Sequence, residues 1–524
     1  MELNNSQGSA AKEYAQAATE REPFLKRARK AAKLTIPSLL PESSHQGVDS
    51  LPVPNQSVGA RGVNNLASKL ILALMPPNSP FFQFQVDDYL LEEITQQEGM
   101  RADVEEALGK IERAVYGEIT AKAMDVTVGE ALKQLIVAGN VLLYLPPSGG
   151  IKYFRLDRYI VKRDPMGNVL KLIVQESISP LLLPDALKEK FADAQSEQSS
   201  LLKAKSVNVY THVKLNDGGG WEVYQEVKGE KVPGSEGTYP KGKTPWIALR
   251  FTKIDDEDYG RGYVEEYYGD LHSADCLQKA VVEGSLAAAR LLLFIDPNGM
   301  TEASDVAETE NGGICSGRAE DVSILQLNKF ADFNTAKATL DGLIQRLSYA
   351  FLLNSVVQRT GERVTAEEIR TVASELEDGL GGIYSILSQE LQLPLVNRIL
   401  HQMTKNNQIP QLPGEITPTI TTGLEALGRG HDLQRLDMFL NGVLQSLGQE
   451  VVASRLNISD YLKRRGTALG IDMSGLIKSD EQIAQEQAQA QQSQMEEMTQ
   501  QVSTQGGMDM AKEIVKAGAN KPDE

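Results

Sequence analysis

Two apolar helical segments joined by a short polar turn carrying two arginines constrain this chain more than any other stretch of it. Residues 352–400 read LLNSVVQRTGERVTAEEIRTVASELEDGLGGIYSILSQELQLPLVNRIL. Thr365 followed by Glu368 makes a capping box ahead of an apolar run. Ile369, Val372, Leu376, Leu380 and Ile383 then recur at helical spacing as one narrow stripe, with Glu367, Glu368, Glu375 and Asp378 roughly opposite. At ~1.5 Å per residue this helix would run about 40 Å to Pro394. Gly379, Gly381 and Gly382 favour a bend in it, and Pro394, which lacks a backbone donor, should kink it. Ahead of the turn, Leu340, Leu343, Ile344, Leu347 and Phe351 share one helix face, with Asn334 as the expected cap. Gln358, Arg359, Thr360, Gly361, Glu362 and Arg363 form the turn itself, where Gly361 can take positive φ. The residues alone leave two readings open: a surface loop between packed helices, or the tip of a lever.

Charge narrows the function classes. The chain has 524 residues and a formal net charge of −18. That length exceeds one ordinary core, so two to four units are expected. So acidic a chain lacks the basic face that bulk nucleic-acid binding needs. A channel is a different case, because an acidic wall repels phosphate and lets a polyanion slide. Cys276 and Cys315 are too few for a disulfide framework, which points to a reducing compartment. The N-terminal residues lack the charged and apolar regions of a signal peptide. The apolar run Leu66–Met75 is short and contains Lys69, so it reads as a buried helix rather than a membrane span. His45, His212, His272, His401 and His431 show no metal-ligand spacing. No cofactor or metal is expected.

The remaining segments read as α+β with helix predominating. A basic helix, FLKRARKAAKL at 24–34, is expected to present a solvated face. Pro37, Pro41, Pro52 and Pro54 mark a connector, and Val63, Leu66, Leu70 and Leu74 lie on a helix ended by Pro76 and Pro77. An amphipathic helix is expected near 100–123, then an apolar segment and a strand near 140–145. Residues 151–255 read mostly as strands, with hairpin turns at Pro165–Asn168 and Asn216–Gly218. A helix from Gly262 to Phe294, a small module over 297–333 and a returning helix over 335–353 form a hairpin with something on its tip. Helices are expected near 431–446 and 449–464, and the Gln-rich stretch after about 480 is too polar to pack alone.

One motif invites an enzymatic reading. Gly237 to Thr244 fits G-x-x-x-x-G-K-T, and Leu291–Asp296 resembles a second nucleotide-site strand ending in a metal-binding Asp. A phosphate loop must follow a buried strand and open a helix. Here Pro245 directly follows Thr244, and Trp246–Phe251 reads as a strand. Leu291–Ile295 is expected to continue a helix. Carboxylate pairs such as Asp255–Asp256 and Glu265–Glu266 read as acidic helix surface. An ATPase is therefore the disfavoured alternative, and no enzyme is expected.

Longer runs carry a resemblance. Residues 58–70 (VGARGVNNLASKL), 131–146 (ALKQLIVAGNVLLYLP), 259–263 (YGRGY) with Glu265–Tyr267, 352–400 and 422–430 (TGLEALGRG) together resemble portal proteins of short-tailed bacteriophages. The likeness is looser at 180–205, at 301–313 and after about 435. The resemblance implies a ring of about twelve copies closed through heterologous contacts. It further implies a wing over 1–258, stem helices over 259–296 and 334–355, and a clip over 297–333. A tunnel loop over 356–364, a long kinked wing helix over 365–405, a crown over 406–479 and a polar tail over 480–524 complete the layout. It places the ring at one capsid vertex of the virion, as the channel for double-stranded DNA packaging and ejection. Its implied partners are the terminase motor, tail adaptor proteins, and the major capsid, scaffold and internal core proteins, with no membrane. On this reading Gln358–Arg363 meet DNA, and Gly379, Gly381, Gly382 and Pro394 form a hinge.

Overall fold

Apolar positions at helical spacing bury one face of each of the first helices in the core. The computed structural model describes residues 9–43, 45, 47–77, 81–85, 100–185, 187, 206–288, 292–310, 313–325, 330–353, 371–372, 374–376, 379–380, 383–412, 416–420, 428–447, 461–462, 465–466 and 489. They fall into two units, one of residues 1–87 and 110–428, the other of 88–109 and 429–524.

In the larger unit, helix Val58–Leu74 buries Val63, Leu66, Leu70 and Leu74 completely. It packs on helix Met124–Ala138, whose buried face carries Val128, Leu132, Leu135 and Ile136. That helix ends at Gly139 with φ of 72°, where a Cβ would lie 2.4 Å from the Arg261 backbone. A glycine is needed there both for the left-handed turn and for the close approach. Strand β1 is Phe82–Gln85, paired antiparallel with Thr417–Ile420. From Gly139 the chain enters strand β2 (Asn140–Tyr144), which pairs with β3 (Lys152–Phe154) and β10 (Trp246–Arg250). All three run antiparallel to their neighbours.

A six-stranded sheet follows in the order β4-β5-β6-β7-β8, with β9 also on β7. Its strands are β4 (Tyr159–Arg163), β5 (Val169–Ile178), β6 (Val207–Leu215), β7 (Trp221–Val227), β8 (Glu230–Lys231) and β9 (Gly237–Tyr239). The turn at Pro165–Asn168 joins β4 to β5, and a turn over 216–220 joins β6 to β7, with Gly219 in positive φ. Helix Ala10–Leu34 docks on this sheet through an apolar cluster of Tyr14, Ile160 and Ile173, flanked by polar anchors. The Glu226 carboxylate accepts from the backbone N–H of Ala10 at 2.7 Å and of Ala11 at 3.3 Å, satisfying donors that a helix start leaves open. Arg21 donates to the Tyr159 carbonyl at 2.6 Å. The basic stretch of this helix is only partly a solvated face. Lys26, Lys30 and Lys33 are exposed, whereas Arg29 is buried and Arg27 pairs with Glu265 at 3.1 Å.

The hairpin module departs from its sequence reading in two places. Tyr263–Glu266 is a short helix, Tyr268–Ala288 a long one, and Leu292–Ile295 is a strand rather than the end of that helix. This strand, β11, pairs antiparallel with β12 (Val322–Leu325). A short continuous apolar run suits helix or strand equally, and cross-strand pairing decides it. The returning helix spans Phe330–Ala350, so Asn334 lies inside it and is not its cap. Between β11 and β12, helix Ala303–Glu308 and its flanks bury almost nothing among the described residues.

In the smaller unit, helix Gly428–Leu447 carries Asp437, which accepts from Tyr461 at 2.7 Å and pairs with Arg465 at 3.3 Å.

Helix Val58–Leu74 also receives the end of the returning helix. A Cβ on Gly62 would sit 2.5 Å from the ring of Phe351, a fully buried side chain. Gly62→Ala should therefore lower stability by about 1–3 kcal/mol through overpacking, although alanine ordinarily favours a helix by about 1 kcal/mol. A lower urea midpoint at unchanged slope would display this.

Candidate functional site: the base of the arginine turn

The turn Gln358–Arg363, the capping box Thr365–Glu368, and Gly381 and Gly382 lie outside the described residues. The described chain on either side of the turn converges on one lysine.

The N-terminal side is the end of helix Phe330–Ala350. Leu340, Leu343 and Leu347 are buried along it, and Ile344 is half-buried. The helix closes with Leu353 N–H donating to the Ser348 carbonyl at 2.8 Å and Leu352 N–H to the Tyr349 carbonyl at 3.1 Å. That pairing is a Schellman cap, which normally places glycine at its left-handed position. Here the position is Leu352, with φ of 54°. A branched-chain residue in that region costs on the order of 1 kcal/mol or more. Neighbouring groups hold it there. Asn65 Nδ2 donates to the carbonyls of Phe351 at 3.0 Å and Leu352 at 2.9 Å. Lys69 Nζ donates to the Leu352 carbonyl at 3.1 Å. Tyr263 adds a hydrogen bond to the Ala350 carbonyl at 2.8 Å and an edge contact with the Phe351 ring. A cation at carbonyls that close a helix also complements the negative end of its dipole.

On the C-terminal side, Val372, Leu376 and Leu380 of the expected stripe are buried. Glu375, one of the acidic residues opposite the stripe, accepts from the same Lys69 Nζ at 2.7 Å. Lys69 is 8% exposed at its side chain and Glu375 26%. One buried ammonium thus ties Leu352, before the turn in sequence, and Glu375, after it, to helix Val58–Leu74. Gly379 faces this junction: a Cβ there would meet the Leu352 side chain at 3.4 Å.

Further along, the helix changes path. Ile383–Leu387 is α-helical, Ser388–Gln392 is one wide π turn, and Leu393–Lys405 resumes as α-helix with Pro394 in its first positions. A proline ring clashes with the carbonyl four residues earlier, and the wide turn moves that carbonyl aside. The wide turn is anchored twice. Gln392 Nε2 donates to the Leu74 carbonyl at 2.6 Å, closing the end of helix Val58–Leu74. Glu390 accepts from Arg250 of β10 at 2.8 Å. Arg250 is almost wholly buried beside Arg163, whose guanidinium burial and the Arg250 charge hold down to about 10.

Neither Lys69, Asn65 nor Leu352 was picked out as functional by sequence reasoning. Lys69 carried a visible signal, as the single charge within an apolar helical run. The left-handed Leu352 carried none.

The phosphate-loop pattern takes a different shape. Gly237–Tyr239 is strand β9, Lys243 N–H closes a turn on the Pro240 carbonyl at 3.1 Å, and β10 follows. No helix opens at Thr244, so no helix N-terminus points at a phosphate. Leu292–Ile295 is a strand, against the helical expectation, but it belongs to a separate two-stranded antiparallel sheet. Glu265 pairs with Arg27 and Arg261, and burial and then the Glu265 charge raise the neighbouring Glu266 above the usual carboxylate range. Both cysteines are free and exposed. Among the described residues no helix is long and apolar enough to cross a membrane, and no group of His, Cys, Asp and Glu could hold a metal ion.

Comparison with known proteins places this architecture. The family described as "Bacteriophage head to tail connecting protein" matches residues 7–477. The chain is 44% identical over 483 residues to the portal protein of Escherichia phage T7, covering 91% of this chain and 89% of that protein. It is 44% identical over 475 residues to the portal protein of Enterobacteria phage T3, covering 90% and 88%. The portal protein of Enterobacteria phage SP6 is 29% identical over 487 residues, covering 91% and 92%. With the family match running through the sheet core, the hairpin module and the lysine junction alike, this chain belongs to the bacteriophage head-to-tail connecting proteins.

Proposed function

We propose that copies of this chain close into a ring of about twelve subunits at one capsid vertex, a head-to-tail connector whose bore is the channel for double-stranded DNA during packaging and ejection. The Lys69 junction is the observation that supports a working part at the turn: it joins Leu352 and Glu375, which flank the turn in sequence, to one helix. Guanidinium contacts to phosphate hold DNA without reading its sequence. The acidic remainder of the wall keeps phosphate moving. The turns retain packaged DNA against backsliding. Gly379 to Gly382 supply compliance close to the junction, and the break at Pro394 sets where the long helix changes path.

The same reading assigns the layout given above: wing, two-helix stem, clip on the stem tip, tunnel loop, long wing helix and crown. The β11–β12 module on its two helices suits the clip. The terminase motor docks first and tail adaptor proteins later, while capsid, scaffold and internal core proteins surround the ring in the virion. The chain acts as a structural conduit, not as an enzyme.

Negative-stain imaging of the purified protein tests this. Face-on annuli with a central hole are expected. Monomers that turn over ATP would indicate the packaging enzyme, and closed shells a coat protein; either result rejects the connector reading.

A further inference from the structure

Arg398 lies on helix Leu393–Lys405 and is 3% exposed. Unlike Arg250, it has no carboxylate partner among the described residues. Its Nη1 donates to the Lys243 carbonyl at 3.2 Å, and its guanidinium carbon lies 5.4 Å from the Tyr239 ring centre. Its Nε is buried with no hydrogen-bond partner. A cation so far removed from water is normally matched by an anion.

The Arg398–Lys243 bond pins the helix against the turn Pro240–Lys243, where Gly242 takes φ of 70°. Lys405 lies seven positions after Arg398, about 20° away around a helix of 3.6 residues per turn, and His401 lies between them. Lys243 and Lys405 are exposed. His401 titrates below the usual imidazole range because it is partly buried and because Lys243, Arg398 and Lys405 all act on it. Several cations elsewhere on this unit have carboxylate partners, Lys152 with Glu176 and Lys171 with Glu13 among them, whereas the charges acting on His401 are all positive.

We infer that Lys243, His401 and Lys405, backed by the buried charge of Arg398, form a phosphate subsite that holds the backbone of double-stranded DNA, separate from the arginine turn. The naming of DNA as the polyanion rests on the channel reading; the cluster itself does not. Its contacts are to backbone rather than to bases, because the neighbouring amide, Gln402, is committed to the Pro146 carbonyl at 2.8 Å. The negative end of the helix dipole would oppose an anion here, and Lys405 in the last turn offsets it. The lysine of the G-x-x-x-x-G-K-T pattern thereby meets phosphate without a nucleotide-binding loop.

The test uses full-length rings and a fluorescein-labelled duplex, with binding followed by anisotropy between 50 and 200 mM salt. Lys243→Gln with Lys405→Gln changes only exposed side chains, so ring images and the thermal midpoint should stay as in the parent. The slope of log K against log salt should shrink by about 2 for each subunit in contact with the duplex, since each phosphate contact contributes ~0.9. Rings carrying Arg359→Gln and Arg363→Gln are measured in parallel. If they lose slope while the double lysine variant keeps it, the subsite is overturned and the channel reading stands. If the lysine variant loses slope and the arginine variant keeps it, the subsite stands without the arginine grip. If all three slopes agree, the subsite falls. A lysine variant that loses binding to polyglutamate alone also overturns it, in favour of an acidic protein segment.

Discussion

Particles assembled from chains carrying Arg359→Glu and Arg363→Glu are expected to contain intact rings and to lose their DNA. On the proposed reading, guanidinium groups at a narrow ring of turns attract phosphate within a largely acidic bore. Charge reversal would make that constriction repel phosphate and remove its grip on packaged DNA. The interaction is electrostatic, so retention in the parent should weaken as salt rises, with the dependence falling by about 0.9 in log–log slope for each phosphate contact removed. Arg→Lys at both positions should give an intermediate loss, because lysine keeps the charge but not the two-point fork. The measurement is the ratio of full to empty heads after purification at matched salt. Heads that retain DNA normally would reject the gate, and rings that fail to assemble would place these arginines in assembly instead.

Lys69→Met should be the most damaging single change in the described region. It removes the ammonium that holds the Leu352 carbonyl and the Glu375 carboxylate together, at 3.1 and 2.7 Å. Leu352 keeps Asn65, but Glu375 is left partly buried without this cation. Removing one partner of a fully buried ion pair costs about 3–5 kcal/mol, and the quarter exposure of Glu375 lowers that to roughly 2–4 kcal/mol. The thermal midpoint should fall by several degrees. Amide exchange at 351–353 and 371–376 should accelerate far more than in the sheet, because those segments lose their common anchor. Adding Glu375→Leu should recover part of the loss, since an apolar pair leaves no unmatched charge. Equal damage from the single and double variants would show that packing, not charge, holds the junction.

How much of this was legible beforehand differs from element to element. The hairpin of β6 and β7 was readable because strand alternation and a Gly-containing turn act over a few residues. The buried stripe of helix Val58–Leu74 was readable from its period alone. The exit of the long helix was half readable: Pro394 announced a break, but not the π turn over Ser388–Gln392 or its tethers to Leu74 and Arg250. Leu292–Ile295 was misread because four apolar residues carry no period, and only pairing with Val322–Leu325 makes them a strand. Asn334 was misread for a related reason: a capping residue type can also sit inside a helix that starts earlier.

The sequence by itself determined most of the helices, the hairpins of the larger sheet, and which family the long runs resemble. Those properties come from neighbours a few positions apart, and from matches along the chain. Tertiary structure alone decided that Lys69, 283 residues before Leu352 and 306 before Glu375, joins those two residues. It alone left Arg398 buried beside the Lys243 carbonyl, with no carboxylate partner among the described residues. The burial of a charge, and whether it finds a partner, depends on groups distant in sequence that only folding brings within a few ångströms.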